Sequence, residues 1–169
     1  VNGGVYKSTD GGGWWTATFT SLPASPVTCL AVDGARVYCG TARSGLYTSA
    51  DSGSTFTKVI TGLTTENIAC LYVVSTTEVY VGAGDGLYRS TDLGVNWIQI
   101  LRNKMPLAVL RRGSTLLVAE AGGIYRSVDD GTNWVNVAKG IMSPMSLCFV
   151  VDANGGICVG TEAGVYRSM

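Results

Sequence analysis

A short pattern recurs along the chain at a nearly constant spacing, and this regularity constrains the fold more than any other feature. Each copy starts with glycine, an aliphatic residue and tyrosine, and a serine follows two positions after the tyrosine. The copies begin at Gly4, Gly45, Gly86, Gly123 and Gly164, so successive copies are 41, 41, 37 and 41 residues apart. A repeat of this length indicates that the chain builds one small structural unit several times.

One unit divides into four short strands, which we label A to D. Residues 27–33 form a nearly continuous apolar run, which predicts an innermost strand A buried on both faces. An Asp-Gly turn leads to strand B at 36–41, and a glycine-bearing loop leads to strand C at 45–50. A tight turn then leads to strand D at 55–60. Four-stranded units of about 40 residues are typical of β-propeller blades.

The sequence therefore predicts an all-β chain. We expect a β-propeller of four units of about 41 residues with four strands each, followed by a fifth partial unit. The units begin near residues 4, 45, 86, 123 and 164. Residues 1–169 are accordingly a single β-propeller domain or a fragment of a larger propeller.

Composition excludes several classes of function. Charged residues make up only 14 % of the chain and the formal net charge is zero, which argues against a disordered chain and against a nucleic-acid partner. The longest apolar run, residues 68–74, is too short to span a membrane. The absence of histidine removes histidine-based catalytic triads and histidine zinc sites. We expect neither a cofactor nor a metal.

Five cysteines are present, and their spacing favours free thiols. They are Cys29, Cys39, Cys70, Cys148 and Cys158, an odd number without a C-x-x-C pair. Neither a disulfide framework nor a zinc ribbon is indicated. Each cysteine has apolar neighbours, so we expect buried thiols that act as small hydrophobic side chains.

The turn between strands C and D has the same residue types in four units: serine, aspartate, glycine and an aromatic residue at fixed spacing. The four sets are Ser8, Asp10, Gly12 and Trp15; Ser49, Asp51, Gly53 and Phe56; Ser90, Asp92, Gly94 and Trp97; and Ser127, Asp129, Gly131 and Trp134. They resemble the Asp-box, or bacterial neuraminidase repeat, motif S-x-D-x-G-x-T-W. That motif occurs in sialidases, xyloglucan-type glycoside hydrolases, sortilin-like receptor domains and photosystem II assembly factors. Trp14, Asn96 and Asn133 stand in place of the motif's threonine, and Phe56 replaces one tryptophan.

We interpret these turn residues as structural. The serine and aspartate side chains accept hydrogen bonds from turn amides that no strand partner satisfies, and the aromatic ring packs between neighbouring blades. The resemblance implies that the boxes lie on the propeller face opposite the ligand site. Trp14 is the exception, because it alternates with Trp15 along a strand and one of the two is expected to point outward.

The strand count predicts association between chains. About four A, four B and four D strands accompany five C strands, so residues 3–9 and 164–169 compete for one position, with 12–20 available as a D strand. A four-bladed ring with a redundant strand and a fragment completed by association both fit this count. Unpaired strand edges are templates for another chain. We expect a homo-oligomer, with a dimer favoured, that forms through 1–9 or 164–169 with Trp14 or Trp15 nearby.

Candidate ligand residues lie on the B–C and D–A loops, which should share one face. They are Arg43, Glu66, Asp85, Lys104, Glu120 and Glu162. A glycosidase needs two carboxylates across the sugar, but no acid and base stand out among the loop carboxylates, and no residue is assigned a catalytic role. Lys7, Arg89, Arg126 and Arg167 occupy one repeat position and are interpreted as a solvated stripe.

Three functions remain open, and the enzymatic one is less favoured. The first is a non-enzymatic binding or assembly module that recognises a protein or a glycan through these loops. The second is a fragment or relative of an Asp-box glycoside hydrolase, either sialidase-like or xyloglucanase-like. The third is a self-assembling scaffold. The resemblance favours an extracellular, periplasmic or lumenal location, whereas unpaired cysteines fit a reducing compartment equally well.

Overall fold

The computed structural model describes residues 4–18, 22–75, 77–142 and 145–168, and these confirm the all-β prediction. The described residues contain no helix, and therefore none that is long and apolar enough to cross a membrane. In chain order the strands are β1 (Tyr6–Lys7), β2 (Thr16–Ala17), β3 (Val27–Asp33), β4 (Arg36–Thr41), β5 (Leu46–Ser49), β6 (Thr57–Lys58), β7 (Ile68–Val73), β8 (Val79–Ala83), β9 (Gly86–Ser90), β10 (Ile98–Arg102), β11 (Ala108–Arg112), β12 (Thr115–Glu120), β13 (Gly123–Ser127), β14 (Val135–Asn136), β15 (Ser146–Val151), β16 (Ile157–Thr161) and β17 (Gly164–Ser168).

The strands form five antiparallel sheets in which neighbours in the sheet are also neighbours in the chain. A two-stranded hairpin, β1–β2, comes first. Three four-stranded sheets follow, β3 to β6, β7 to β10 and β11 to β14, and a three-stranded sheet, β15 to β17, comes last. The A strands β3, β7, β11 and β15 contact one another in that order, so the sheets lie side by side.

The core lies between sheets and is built mainly from the B and C strands. Five of the six residues of β4 and all five residues of β8 are buried. One cluster joins the first and second four-stranded sheets and includes Tyr38, Leu46 and Trp97. Burial between sheets explains why these strands are continuous apolar runs, since both of their faces contact protein.

Strand A was predicted to be buried on both faces, and this is wrong for β3 of the first four-stranded sheet and for β15 of the last sheet. In β3 exposed and partly buried residues alternate, and Leu30 and Val32 are 50 % and 62 % exposed. Leu71 and Val73, at the same positions of β7, are partly buried. The middle sheets have a neighbour on each side, whereas the first four-stranded sheet is flanked on one side only by a two-stranded hairpin.

Cysteine and glycine form a recurring pair across strands A and B. Cys29 lies opposite Gly40, Cys70 opposite Gly82 and Cys148 opposite Gly160. A methyl group on any of these glycines would collide with the facing sulfur. The five thiols are free, as predicted. Burial was predicted for all of them, but only Cys39 and Cys70 are buried: Cys29 and Cys158 are partly buried, and Cys148, on strand A of the last sheet, is exposed.

Candidate functional site

Backbone hydrogen bonds divide the loops between two opposite edges of the sheets. On one edge the C–D turns bond to the A–B turns, as in the 2.8 Å bond from the amide of Ser52 to the carbonyl oxygen of Ala35. On the other edge the B–C turns bond to the D–A loops, as in the 2.9 Å bond from the amide of Gly84 to the carbonyl oxygen of Asn67. We call the first the box edge and the second the loop edge. The six candidate ligand residues all lie on the loop edge.

The box edge repeats one hydrogen-bonded geometry in four turns. In the third turn Ser90 Oγ donates to Asp92 Oδ1 at 2.8 Å and accepts from the amide of Gly94 at 2.9 Å. Asp92 Oδ1 also accepts from the amide of Asn96 at 2.9 Å, and the Asn96 side chain donates to Asp92 Oδ2 at 2.7 Å. In the second turn the threonine of the motif makes the equivalent bond, since Thr55 Oγ1 donates to Asp51 Oδ2 at 2.6 Å. The asparagine side chain therefore replaces the threonine hydroxyl as donor.

These donors stabilise the ionised form of each aspartate. Hydrogen bonds from the backbone and side chain of the residue four positions later, together with the serine, lower the pKa of Asp92 and of Asp129 to about 2. The pKa values of Asp51 and Asp10 are lowered as well, first of all by the serine hydroxyl. The aspartates hold turns and are saturated by internal donors, which fits the structural role predicted for them.

In three of the four boxes the aromatic residue packs between its own sheet and the preceding one. Phe56 and Trp97 are 5 % and 4 % exposed. The indole of Trp134 donates to the carbonyl oxygens of Gly131 at 2.9 Å and of Ile100, on the preceding sheet, at 3.0 Å. Trp15 departs from the prediction, since it is 58 % exposed. Among the described residues no sheet precedes the hairpin that carries Trp15.

The carboxylate of Asp85 forms the centre of one polar cluster on the loop edge. Asp85 Oδ2 accepts hydrogen bonds from the Tyr88 hydroxyl at 2.8 Å and from the hydroxyl of Thr64 on the D–A loop. Among the described residues the other oxygen, Asp85 Oδ1, is buried without a hydrogen-bond partner. Burial raises the pKa of Tyr88, which keeps its hydroxyl protonated as a donor. The cluster therefore holds one buried acceptor that no donor among the described residues satisfies.

A second cluster on the loop edge joins Lys104, Glu120 and Tyr125. Lys104 Nζ lies 3.0 Å from Glu120 Oε1, donates to the Tyr125 hydroxyl at 2.6 Å and sits 4.3 Å from the centre of that ring. The hydroxyl and the carboxylate raise the pKa of Lys104. Glu120 is only 7 % exposed. Lys104 and the amide of Met105 thus occupy both oxygens of the Glu120 carboxylate.

The other three candidates are exposed. Glu66 pairs with Lys58 beside a shallow cleft of about 190 Å³, and Arg43 and Glu162 reach solvent. The structure thus forms two pairs, Asp85 with Thr64 and Glu120 with Lys104. In each pair the carboxylate comes from a B–C turn and its partner comes from a D–A loop. Among the described residues no group of three cysteine, aspartate or glutamate side chains is placed to hold a metal.

Two features of these clusters depart from the repeat. Asp85 stands where the other units have Ser44, Gly122 and Ala163, each immediately before the repeated glycine. Glu120 occupies the position of Ala83 in the preceding sheet, because Glu120 pairs with the repeated glycine Gly123 as Ala83 pairs with Gly86. Thr64 and Tyr125 were missed by the sequence analysis, because the D–A loops vary and the repeated tyrosines are expected to pack in the core.

The solvated position predicted for Arg89 is wrong, and no contact was predicted for Arg111 from the sequence. Arg89, predicted to be solvated, pairs with Glu78 at 2.6 Å. Arg111 pairs with the same carboxylate and, at 2.9 Å, with Asp130. Lys7, Arg126 and Arg167 are exposed as predicted. The spacing of Glu78 and Arg111 in the chain carries no signal of this contact, which forms between two sheets.

No protein-family model and no curated protein sequence matches this chain. Solved structures do match it. The GH74 enzyme of Niastella koreensis is 26 % identical with a TM-score of 0.70, covering 97 % of this chain and 32 % of the enzyme. The extracellular domain of the putative hybrid two component system BT4673 from B. thetaiotaomicron is 19 % identical with a TM-score of 0.82, covering 99 % and 25 %.

A third match is YCF48 bound to D1 peptide, at 13 % identity and a TM-score of 0.76, covering all of this chain and 58 % of YCF48. The chain has the β-propeller fold. It spans less than two thirds of each of these three proteins. The comparison confirms a β-propeller fold, whereas four complete units followed by a partial fifth stay a prediction.

Proposed function

We propose that this β-propeller chain is a non-enzymatic binding module whose loop edge recognises a protein or a glycan. The observation that carries the proposal is the unpartnered oxygen of Asp85, held on the loop edge by Thr64 and Tyr88. A peptide amide or a sugar hydroxyl is the donor that this oxygen lacks. Exposed Arg43 and Glu162 supply charged groups on the same edge.

The residues that hold the two clusters support this interpretation. A carboxylate at position 85 and another at position 120 are not required by the repeat, since other units have small uncharged residues at the matching positions. Partly buried carboxylates cost free energy unless they are paired. We infer that these two serve recognition. The peptide-bound state of YCF48 supports a protein ligand by analogy of fold.

The Asp-box motif supports placing the chain with the bacterial neuraminidase repeat propellers. The box geometry lies on the edge opposite the candidate residues, as the resemblance implies. An extracellular location is proposed with it, because neighbouring structures include an extracellular domain. The apolar end sheets favour, in addition, a homo-oligomer formed through the terminal strands, in residues 4–9 and 164–168 of the described part; residues 1–3 and 169 lie outside it.

An Asp-box glycoside hydrolase is the second candidate, favoured by the 26 % identity with a GH74 enzyme over nearly the whole chain. Under this alternative the chain would be a relative or a fragment with catalytic carboxylates of its own or elsewhere. A panel of chromogenic glycosides separates the two candidates. Turnover that is lost in both Asp85→Asn and Glu120→Gln would overturn the binding-only proposal.

Binding is tested on a glycan array and with a displayed peptide library. We expect captured ligands to lose affinity in Asp85→Asn and in Arg43→Ala, both on the loop edge. Lys7→Ala is the matched control, because it removes an exposed cation near the box edge, where Lys7 contacts the carbonyl oxygen of Ser52. Equal losses in all three variants, or ligands indifferent to Asp85→Asn, would refute recognition by the loop edge.

A further inference from the structure

A cleft of about 560 Å³ separates the third four-stranded sheet from the last sheet. Its walls include Leu117, Ile124 and Val137 from one side and Tyr166 from the other. The corresponding spaces between the earlier sheets are closed by an aromatic residue of the box. This cleft is the one such space, among the described residues, that no box aromatic enters.

The walls of the cleft match the residues that surround a buried tryptophan elsewhere in the same chain. Trp97 packs in a cluster with Tyr38, Leu46, Val59 and Tyr88. By strand register Tyr38 is equivalent to Leu117 and Leu46 to Ile124. By repeat position Val59 is equivalent to Val137 and Tyr88 to Tyr166. All four equivalents line the cleft.

Backbone hydrogen bonds support the equivalence of the walls. The amide of Val59 donates to the carbonyl oxygen of Leu46 at 2.8 Å, and the amide of Val137 donates to that of Ile124 at 2.7 Å. The two walls are therefore built alike. The cleft has the side-chain lining of a tryptophan site.

The first hairpin carries a tryptophan in the geometry that this site requires. Trp15 follows the same turn as Trp97 and is 58 % exposed. In its hairpin Tyr6 pairs with Ala17, as Tyr125 pairs with Asn136, and the amide of Thr18 donates to the carbonyl oxygen of Val5 at 2.9 Å. The hairpin is a C–D pair without A and B strands, whereas the last sheet has strands A, B and C without D.

Strand β17 can be replaced by β1 with little change in side chains. Residues 164–168 are Gly-Val-Tyr-Arg-Ser, and residues 4–8 are Gly-Val-Tyr-Lys-Ser. Val165 of β17 is 76 % exposed. A hairpin that takes the place of β17 keeps the pairing with β16 and adds a D strand and an indole ring.

We propose that the β1–β2 hairpin of a second copy of this chain docks beside β16 in place of β17, with its Trp15 in the cleft. The indole nitrogen then donates to the carbonyl oxygen of Val137, the equivalent of the Ile100 oxygen that Trp134 uses at 3.0 Å. In the structure the chain's own hairpin packs at the opposite end of the row of sheets, where Val5 joins Phe56 and Val37 in a core cluster. This placement makes a second copy the occupant.

Charge and exposed apolar surface fit the same contact. Arg126 lines the cleft on the strand that leads to the box edge, and the incoming turn on that edge carries Asp10. The outer faces of the two end sheets are the apolar ones, with Leu30 and Val32 exposed on the first and Val150 61 % exposed on the last. A head-to-tail contact repeated twice closes a twofold dimer without leaving either end free.

Light scattering on the 169-residue chain tests the proposal, with the mass expected at twice 17.7 kDa. Trp15→Ala should weaken each of the two contacts roughly thirtyfold, and the dimer therefore roughly a thousandfold, because a buried indole is a typical interface hot spot. Trp14→Ala is the matched control, since Trp14 is 76 % exposed and occupies the threonine position of the box, not the aromatic position that the cleft would accept. Ile141→Lys, which places a cation in the cleft, should weaken the dimer as well.

Mixing separates a lost contact from a misfolded chain. An equimolar mixture of Trp15→Ala and Ile141→Lys retains one intact contact and should recover dimer that neither variant forms alone. A chain lacking residues 164–169 should dimerise at least as tightly as the full chain, because β17 gives up its position in the contact.

Several outcomes would overturn the proposal. They are a wild-type monomer, equal losses in the two tryptophan variants, a dimer that both weakening variants leave intact, and a truncated chain that is monomeric. A monomer whose Trp15 is shielded from a fluorescence quencher would show the chain's own hairpin in the cleft. None of these outcomes bears on ligand binding by the loop edge, so the two proposals fail separately.

Discussion

Ser90 and Ser8 occupy the same position in two different box turns, one buried and one near the surface. This contrast gives a stability prediction. Ser90 is 1 % exposed, and its Oγ accepts from the buried amide of Gly94 at 2.9 Å. Ser8 makes the matching bond to the amide of Gly12 at 2.8 Å, but Gly12 is exposed. Alanine at either position removes the same bond. Only at Ser90 does the freed amide lack access to water.

The expected magnitudes follow from burial. A buried donor left without a partner costs about 1–3 kcal/mol, so Ser90→Ala should lower the free energy of unfolding by about 2 kcal/mol. Water replaces the serine at the exposed turn, so Ser8→Ala should cost less than about 0.5 kcal/mol. For a chain of this size the first variant should lower the midpoint of thermal unfolding by about 4–8 °C.

Urea unfolding followed by circular dichroism measures both variants. The midpoint of Ser90→Ala should shift to lower urea with an unchanged slope, which shows that stability and not compactness has changed. Equal losses in the two variants would refute the argument from burial. A loss below about 0.5 kcal/mol at Ser90 would show that the box serine contributes little to its turn.

Three further predictions follow from single groups. Because the folded-state pKa of Asp92 is about 2, below the ordinary 3.8, its contribution to stability is present above pH 4 and is lost as the pH falls toward 2; unfolding midpoints across that range should fall less steeply for Asp92→Asn than for wild type. Gly82→Ala, whose methyl group would lie 2.7 Å from a backbone oxygen, should cost about 1–3 kcal/mol in urea unfolding, whereas Gly84→Ala, with its nearest neighbour at 3.4 Å, should be nearly neutral. Exposed Cys148 should react with a thiol reagent before buried Cys70, whose pKa burial raises to about 12, and mass spectrometry of labelled peptides would contradict this if the order were reversed.

Strand positions could be predicted closely where the repeat and the apolar pattern agree. Residues 27–33 and 36–41 were predicted as strands, and β3 and β4 have these bounds. Strand D was predicted over 55–60, but β6 contains only Thr57–Lys58. A strand at the edge of its sheet has one neighbour, and the box turn takes the first residues of the segment, so few are left to pair.

Exposure could not be predicted from the repeat, because it depends on which sheets are neighbours. Trp15 and Trp97 occupy the same motif position, yet they are 58 % and 4 % exposed. The same holds for Leu30 and Leu71 on strand A. A periodic sequence specifies each sheet in the same way, whereas the first and last sheets lack one of the partners that bury the others.

The two edges of the sheets differ in how the repeat governs them, and this difference bears on function. On the box edge the same serine, aspartate and glycine return in every turn and form the same bonds, so the residues are accounted for by folding. On the loop edge Asp85 and Glu120 interrupt the repeat and are held by side chains from variable D–A loops. The sheets that have small residues at these positions pair their strands in the same register, so the fold does not require a carboxylate there. The departures from the repeat therefore mark the edge on which a specific role for this chain is to be sought.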